Sequence, residues 1–148
     1  MGQADRHHRL VSIGLALHER RRYVEALAKF RLARRRAPDC PVVAYNVANT
    51  LHMLGRDYEA GQILRELVRV DPEVLTGRCE AVNGRSLQLD AFYLLFLVTV
   101  HGEGFSAAAF RHAEEHLRRR RKGLRSVWSV REVRNQVSAF RREWAELV

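Results

Sequence analysis

The sequence predicts an all-α fold, a row of helical hairpins stacked on one another and closed by a final helix. Three observations lead there. Pro38 and Pro72 stand 34 residues apart and anchor two units, 7–40 and 41–74, that correspond position by position. Apolar residues recur at helical spacing in both units. A Ser–x–x–Glu box at Ser129 opens a last amphipathic stretch.

In the two units, Ile13, Gly14 and Leu17 fall on Val47, Ala48 and Leu51, and Ala26, Phe30 and Ala33 fall on Ala60, Leu64 and Leu67. Small residues therefore sit where paired helices must approach closely, with large apolar residues around them. Gly55 and Asp57 supply the turn of the second unit, and Asp71-Pro72 stops its second helix because proline cannot continue the hydrogen-bond ladder. The polar stretch 76–85, with Gly77, Asn83 and Gly84, reads as an insertion or short irregular turn. Leu87 to His101 then forms an apolar helix, Gly102 and Gly104 a turn, and Phe105 to about Lys122 its partner. This is a divergent third unit at about 87–122, with Phe110 and Ala113 placed on Phe30 and Ala33. The last helix, about 129–148, carries Val130, Val133, Val137, Phe140, Trp144 and Leu147 in one stripe, with Trp128 and Val133 placed as a staple. Hairpin arrays need their open apolar end covered, so this helix reads as a cap, its alternative use being to dock a partner or a second copy as a homodimer. The whole, 1–148, is one domain.

The period of 34 and the residues Gly14, Tyr23, Ala26, Phe30, Ala33 and Pro38, answered by Ala48, Leu51, Gly55, Ala60 and Pro72, resemble the tetratricopeptide repeat family. The pattern departs where that family carries Trp, since Leu10 and Ala44 stand there, and Tyr58 falls one place late against Tyr23. The resemblance implies a concave groove lined by the first helix of each unit. Carried over by position, the groove holds His8, Val11, Ser12, Leu15, His18 and Glu19, then Val42, Tyr45, Asn46, Asn49, His52 and Met53, and in the third unit Ala91, Phe92, Leu95 and Val98. Tyr45, Asn46, Asn49 and His52 share one helical face, and two asparagines within a helix offer amide donors and acceptors to a bound backbone. Some family members clamp a C-terminal carboxylate with lysines. Val11 and Leu15 occupy the places where the first unit would carry that clamp, and only Asn46 matches it. The implied function is that of a protein-binding adaptor or chaperone-like module that takes a peptide or subunit segment in its groove.

Composition bounds the remaining classes. Hydrophobic residues make up 47% and charged residues 29% of 148, the balance of a folded globular chain. The apolar run Ala91 to Val100 is too short to span a bilayer, and the polar start Met1 to His8 has no apolar signal core, so no membrane association or secretion is expected. Cys40 and Cys79 form no CxxC pair and fit a reducing compartment, hence a cytoplasmic location. The net charge is +9, and Arg118, Arg119, Arg120, Arg121, Lys122 and Arg125 form a basic tract. That tract is the alternative site, for nucleic-acid phosphates or an acidic partner. Trp128 alone lies near it, so no stacking platform accompanies it. Only Lys29 and Lys122 of the 26 basic residues are lysine, a bias that GC-rich coding also produces.

No phosphate loop, nucleophile elbow or Cys/His pairing is present, so no enzymatic activity and no cofactor are expected. His18 and His52 hold the same repeat position, yet neither a Cys nor a carboxylate is placed to complete a metal shell, and no metal is expected. His112-Ala-Glu-Glu-His116 matches a zinc-peptidase string but lacks room for the third ligand and cleft that this chemistry needs.

Overall fold

A computed structural model describes residues 3–79 and 83–148. Every regular element among them is helical: α1 Gln3–Glu19, α2 Tyr23–Arg36, α3 Pro41–Met53, α4 Asp57–Arg69, α5 Pro72–Arg78, α6 Gly84–Glu103, α7 Ala107–Arg120 and α8 Val130–Leu147. The fold is all-α. Helices α1 and α2, α3 and α4, and α6 and α7 pack as hairpins, and α2 lies on α3 while α4 lies on α6.

Two hairpin turns are built alike. The Arg21 and Arg22 amides donate to the carbonyls of His18 and Leu17, and 34 residues later the Gly55 and Arg56 amides donate to those of His52 and Leu51. Both are Schellman closures around one residue in the left-handed region, Arg21 at φ 61° and Gly55 at φ 76°. The next residue then forks onto the first turn of the following helix: Arg22 onto Glu25 at 2.9 and 2.6 Å, Arg56 onto Glu59 at 2.8 and 2.9 Å. The third hairpin turns at Gly104, φ 88°, whose amide bonds to the Val100 carbonyl.

The third hairpin corrects the expected register. Its turn residue Gly104 lies 49 positions after Gly55. The buried set of α7, Ala109, Phe110, Ala113 and His116, lies the same 49 positions after Ala60, Gly61, Leu64 and Leu67 of α4. Phe110 therefore matches Leu27 rather than Phe30. The offset exceeds 34 because α5 is inserted. The stretch expected to be irregular is in part this short helix: Asp71 caps it by accepting from the Glu73 amide, and Pro72 opens it as well as following α4. Residues 80–82 of that stretch, like Met1 and Gly2, lie outside the described residues.

Two apolar cores result. One joins α1–α4 to Ala91, Leu94, Leu95 and Val98 of α6. The other joins Tyr93, Phe96 and Val100 of α6 to Phe110, Val133 and Val137 of α7 and α8. Helix α6 is thus apolar all round because both sides of it are interior. In α8, Val133 and Val137 are buried on the third hairpin and Phe140 and Trp144 half-buried, while Leu147 is 76% exposed. The Ser129–Glu132 capping box is formed in both directions.

Candidate functional site

On α1, the candidate groove residues His8, Ser12 and Leu15 are exposed, and Ser12 is turned back onto the His8 carbonyl at 3.1 Å. His18 is half-buried and stacks edge-on to Tyr23 at 5.0 Å; burial holds its pKa below the usual value, against a smaller opposing pull from Glu19. On α3, Tyr45, Asn46, Asn49 and His52 are half-buried and Met53 is exposed. Tyr45 packs on the core, and burial, helped by the Asp90 charge, raises its phenol pKa. It is less accessible than the sequence implies. Asn46, Asn49 and Met53 share a face at helical spacing.

The third unit supplies no groove. Ala91, Leu95 and Val98 are buried in the first core, where α6 meets the preceding hairpin. Phe92 lies under the Arg119 guanidinium at 4.6 Å. Beside it, Ser126 donates to Asp90 at 2.5 Å, and Trp128 packs edge-on to Tyr93 at 4.8 Å. Asp90 is raised in pKa by burial, with the bonds from Ser126 and Val127 and the charge of Arg120 opposing. The α7–α8 connection thus runs over the start of α6.

Half of the basic tract is already engaged. Arg118 and Arg119 both bind Glu115, whose carboxyl is held down to about 2 by these bonds, Arg118's first. Arg119 also reaches Gln88 Oε1 at 2.6 Å, and the buried Gln88 amide donates to the Leu67 and Val70 carbonyls at the end of α4. Arg120 donates to the Trp128 carbonyl at 2.6 Å. Arg121, Lys122 and Arg125 are exposed.

The histidines fall into different environments. His116 is buried, and its Nδ1 donates to the Leu89 carbonyl at 2.8 Å, so one half of the zinc-peptidase string is a core residue. Histidine 52 finds His101 rather than His18: the two rings lie parallel, 8° apart in plane, with centroids 5.2 Å apart. Asp57 Oδ1 stands 2.5 Å from His52 Nδ1. The carboxylate that sequence reasoning did not find is therefore the turn residue Asp57. His101 was legible only in the corrected register, since it follows His52 by the same 49 positions that separate Gly104 from Gly55.

Two clefts lie away from this cluster of side chains. The larger, about 570 Å³, runs between α2, α3 and α4 over Ala44 and Ile63 and is rimmed by Arg31, Arg34 and Glu66. In the smaller, about 390 Å³, His7 and His8 face Cys40 and Cys79. Burial pushes the Cys40 thiol up, and the adjoining Cys79 thiol adds to the shift. The two cysteines, 39 positions apart in sequence, are neighbours in space. No helix among the described residues is long and apolar enough to cross a membrane. No protein-family model, curated protein or solved structure matches this chain.

Proposed function

We propose that this chain is a tetratricopeptide-type repeat protein that binds another protein and catalyses no reaction. It acts as an adaptor or chaperone-like module, holding a peptide or subunit segment along the exposed faces of α1 and α3. One observation carries this reading. Leu15 and Met53 are left 42% and 46% exposed, on faces that also present Ser12 and the half-buried amides of Asn46 and Asn49. Apolar side chains beside amides suit a segment that brings both side chains and backbone polar groups. The recurrence of turn, fork and buried set at 34 positions supports the repeat assignment. The site spans two hairpins, since the third is closed by its own packing.

The test compares proteins recovered with the nuclease-treated wild type and with a Leu15→Glu, Asn49→Ala, Met53→Glu variant of unchanged circular dichroism. A protein held by the wild type and lost from the variant supports the reading. Equal recovery sinks it. The alternative, a nucleic-acid or acidic partner on the basic tract, is favoured by the exposure of Arg121, Lys122 and Arg125 and weakened by the protein partners of Arg118, Arg119 and Arg120. Three exposed cations give a shallow salt dependence, with a slope of roughly −2 to −3 in log K against log salt.

A further inference from the structure

We propose that His52, His101 and Asp57 form a binding site for one first-row transition-metal dication, Zn²⁺ being the natural occupant, that clips the second hairpin to the third. The reading is independent of partner binding. The two histidines occupy the same structural position on α3 and α6, and Asp57 opens α4, so three helices converge on one point. One ligand atom from each residue lies within 4.8 Å of the others. The approach is built into the backbone: a side chain at Gly102 would press on the Asp57 Cβ at 3.2 Å, and glycine leaves that space open beside His101.

The donor set selects the metal. Two imidazoles and one carboxylate suit Zn²⁺, Co²⁺, Ni²⁺ and Cu²⁺, whereas Ca²⁺ and Mg²⁺ seek oxygen shells. Bonds of about 2.0–2.2 Å to such a metal require the donors to draw closer than 4.8 Å. His52 and Asp57 are half-buried and already in contact, while His101 is exposed at the end of α6. Binding therefore moves both sides of the site: the His52–Asp57 contact opens to admit the metal, and His101, which packs edge-on to Phe140 with centroids 6.1 Å apart, turns inward from the surface. Its far side opens on a cleft of about 360 Å³ that Tyr58 and Glu103 also line, so solvent completes the shell. Glu103 is held by Arg65 at 3.0 Å and is not needed as a ligand. Three protein ligands and an open position make an accessible, exchangeable site rather than a sealed structural one.

The experiment uses the full chain, without a histidine tag and stripped with a chelator, titrated with Co²⁺ alone. Visible absorption reports coordination geometry, and a parallel Zn²⁺ titration by calorimetry reports stoichiometry. The wild type is expected to bind one equivalent and to melt at a higher temperature with Zn²⁺ present. His101→Ala, an exposed change, and Asp57→Asn are each expected to lower the affinity by roughly 100-fold. His8→Ala, which removes a histidine of the other cleft, is expected to leave it unchanged. A wild type that takes up no Co²⁺, or a folded His101→Ala protein that binds as well as the wild type, overturns the proposal. So does loss of binding in His8→Ala.

Discussion

Arg21 sits at φ 61° in the same turn that places Gly55 at φ 76°. A side chain in the left-handed region costs roughly 1–2 kcal/mol, partly offset by the greater chain entropy that glycine loses on folding. Arg21→Gly is therefore expected to stabilise the protein by about 0.5–1 kcal/mol, read as a raised midpoint in urea. Gln88 makes the opposite case. Its amide serves the carbonyls of Leu67 in α4 and Val70 just beyond it, and its oxygen serves Arg119 of α7. Gln88→Leu would leave buried polar groups without partners and is expected to cost about 2–4 kcal/mol. His116 carries a pH dependence. Burial, and secondarily the Arg120 charge, lower its pKa below 6.5, with the Leu89 bond opposing. The unfolded chain then binds the proton more readily, so this contribution is complete above the unfolded pKa and is lost as pH falls through it toward the folded value. His18 and His112 are lowered by burial as well and add in the same direction. Stability is expected to decline as pH falls below about 6.5, and His116→Gln to make that decline shallower. Of these residues, Gly55 was legible in the sequence as a turn residue, with Asp57 beside it, but the partners were not. Gln88, His116 and Asp57 act through partners on other helices, which no local pattern announces.

At the scale of elements, the signals that could be read were local ones. The α8 capping box needs only Ser129 and Glu132, and the α3–α4 turn only Gly55 and its neighbours. Helix α5 was missed because Asp71-Pro72 is both a stop and a start: the same proline that ends one ladder is preorganised for the first turn of the next. That omission displaced the third hairpin by three positions and hid the pairing of His101 with His52. Ser129→Ala is expected to cost about 1 kcal/mol through the lost cap. Deleting α8 uncovers Phe96 and Phe110 in the second core. The truncated chain is expected to lose more helical ellipticity than the 18 residues of α8 account for. A folded monomer formed from a wild-type dimer would instead assign the α8 stripe to self-association.

Over the whole molecule, the net charge of +9 is uneven in its meaning. Arg119 fastens α7 to α6 and Arg120 fastens it to the segment before α8, while Arg118 is paired with Glu115 within α7, so part of a tract that reads as an electrostatic surface is structural. Charge counting could not separate the two uses, because it does not register which cations already have partners. The candidate binding face was legible as a helical periodicity, but its extent was not. Whether Ala91, Leu95 and Val98 line a groove or fill a core depends on the helices packed around α6, and those contacts lie far apart in sequence.

The sharing of α6 between two cores also orders the molecule in time. Amide hydrogens of its middle turns can reach solvent only when both halves open together, whereas those of α1, which packs chiefly on α2 at one end of the row, are released by fraying alone. Deuterium uptake should therefore fall along the chain from α1 to α6 rather than follow exposure residue by residue, and the slowest exchangers should report the global unfolding free energy.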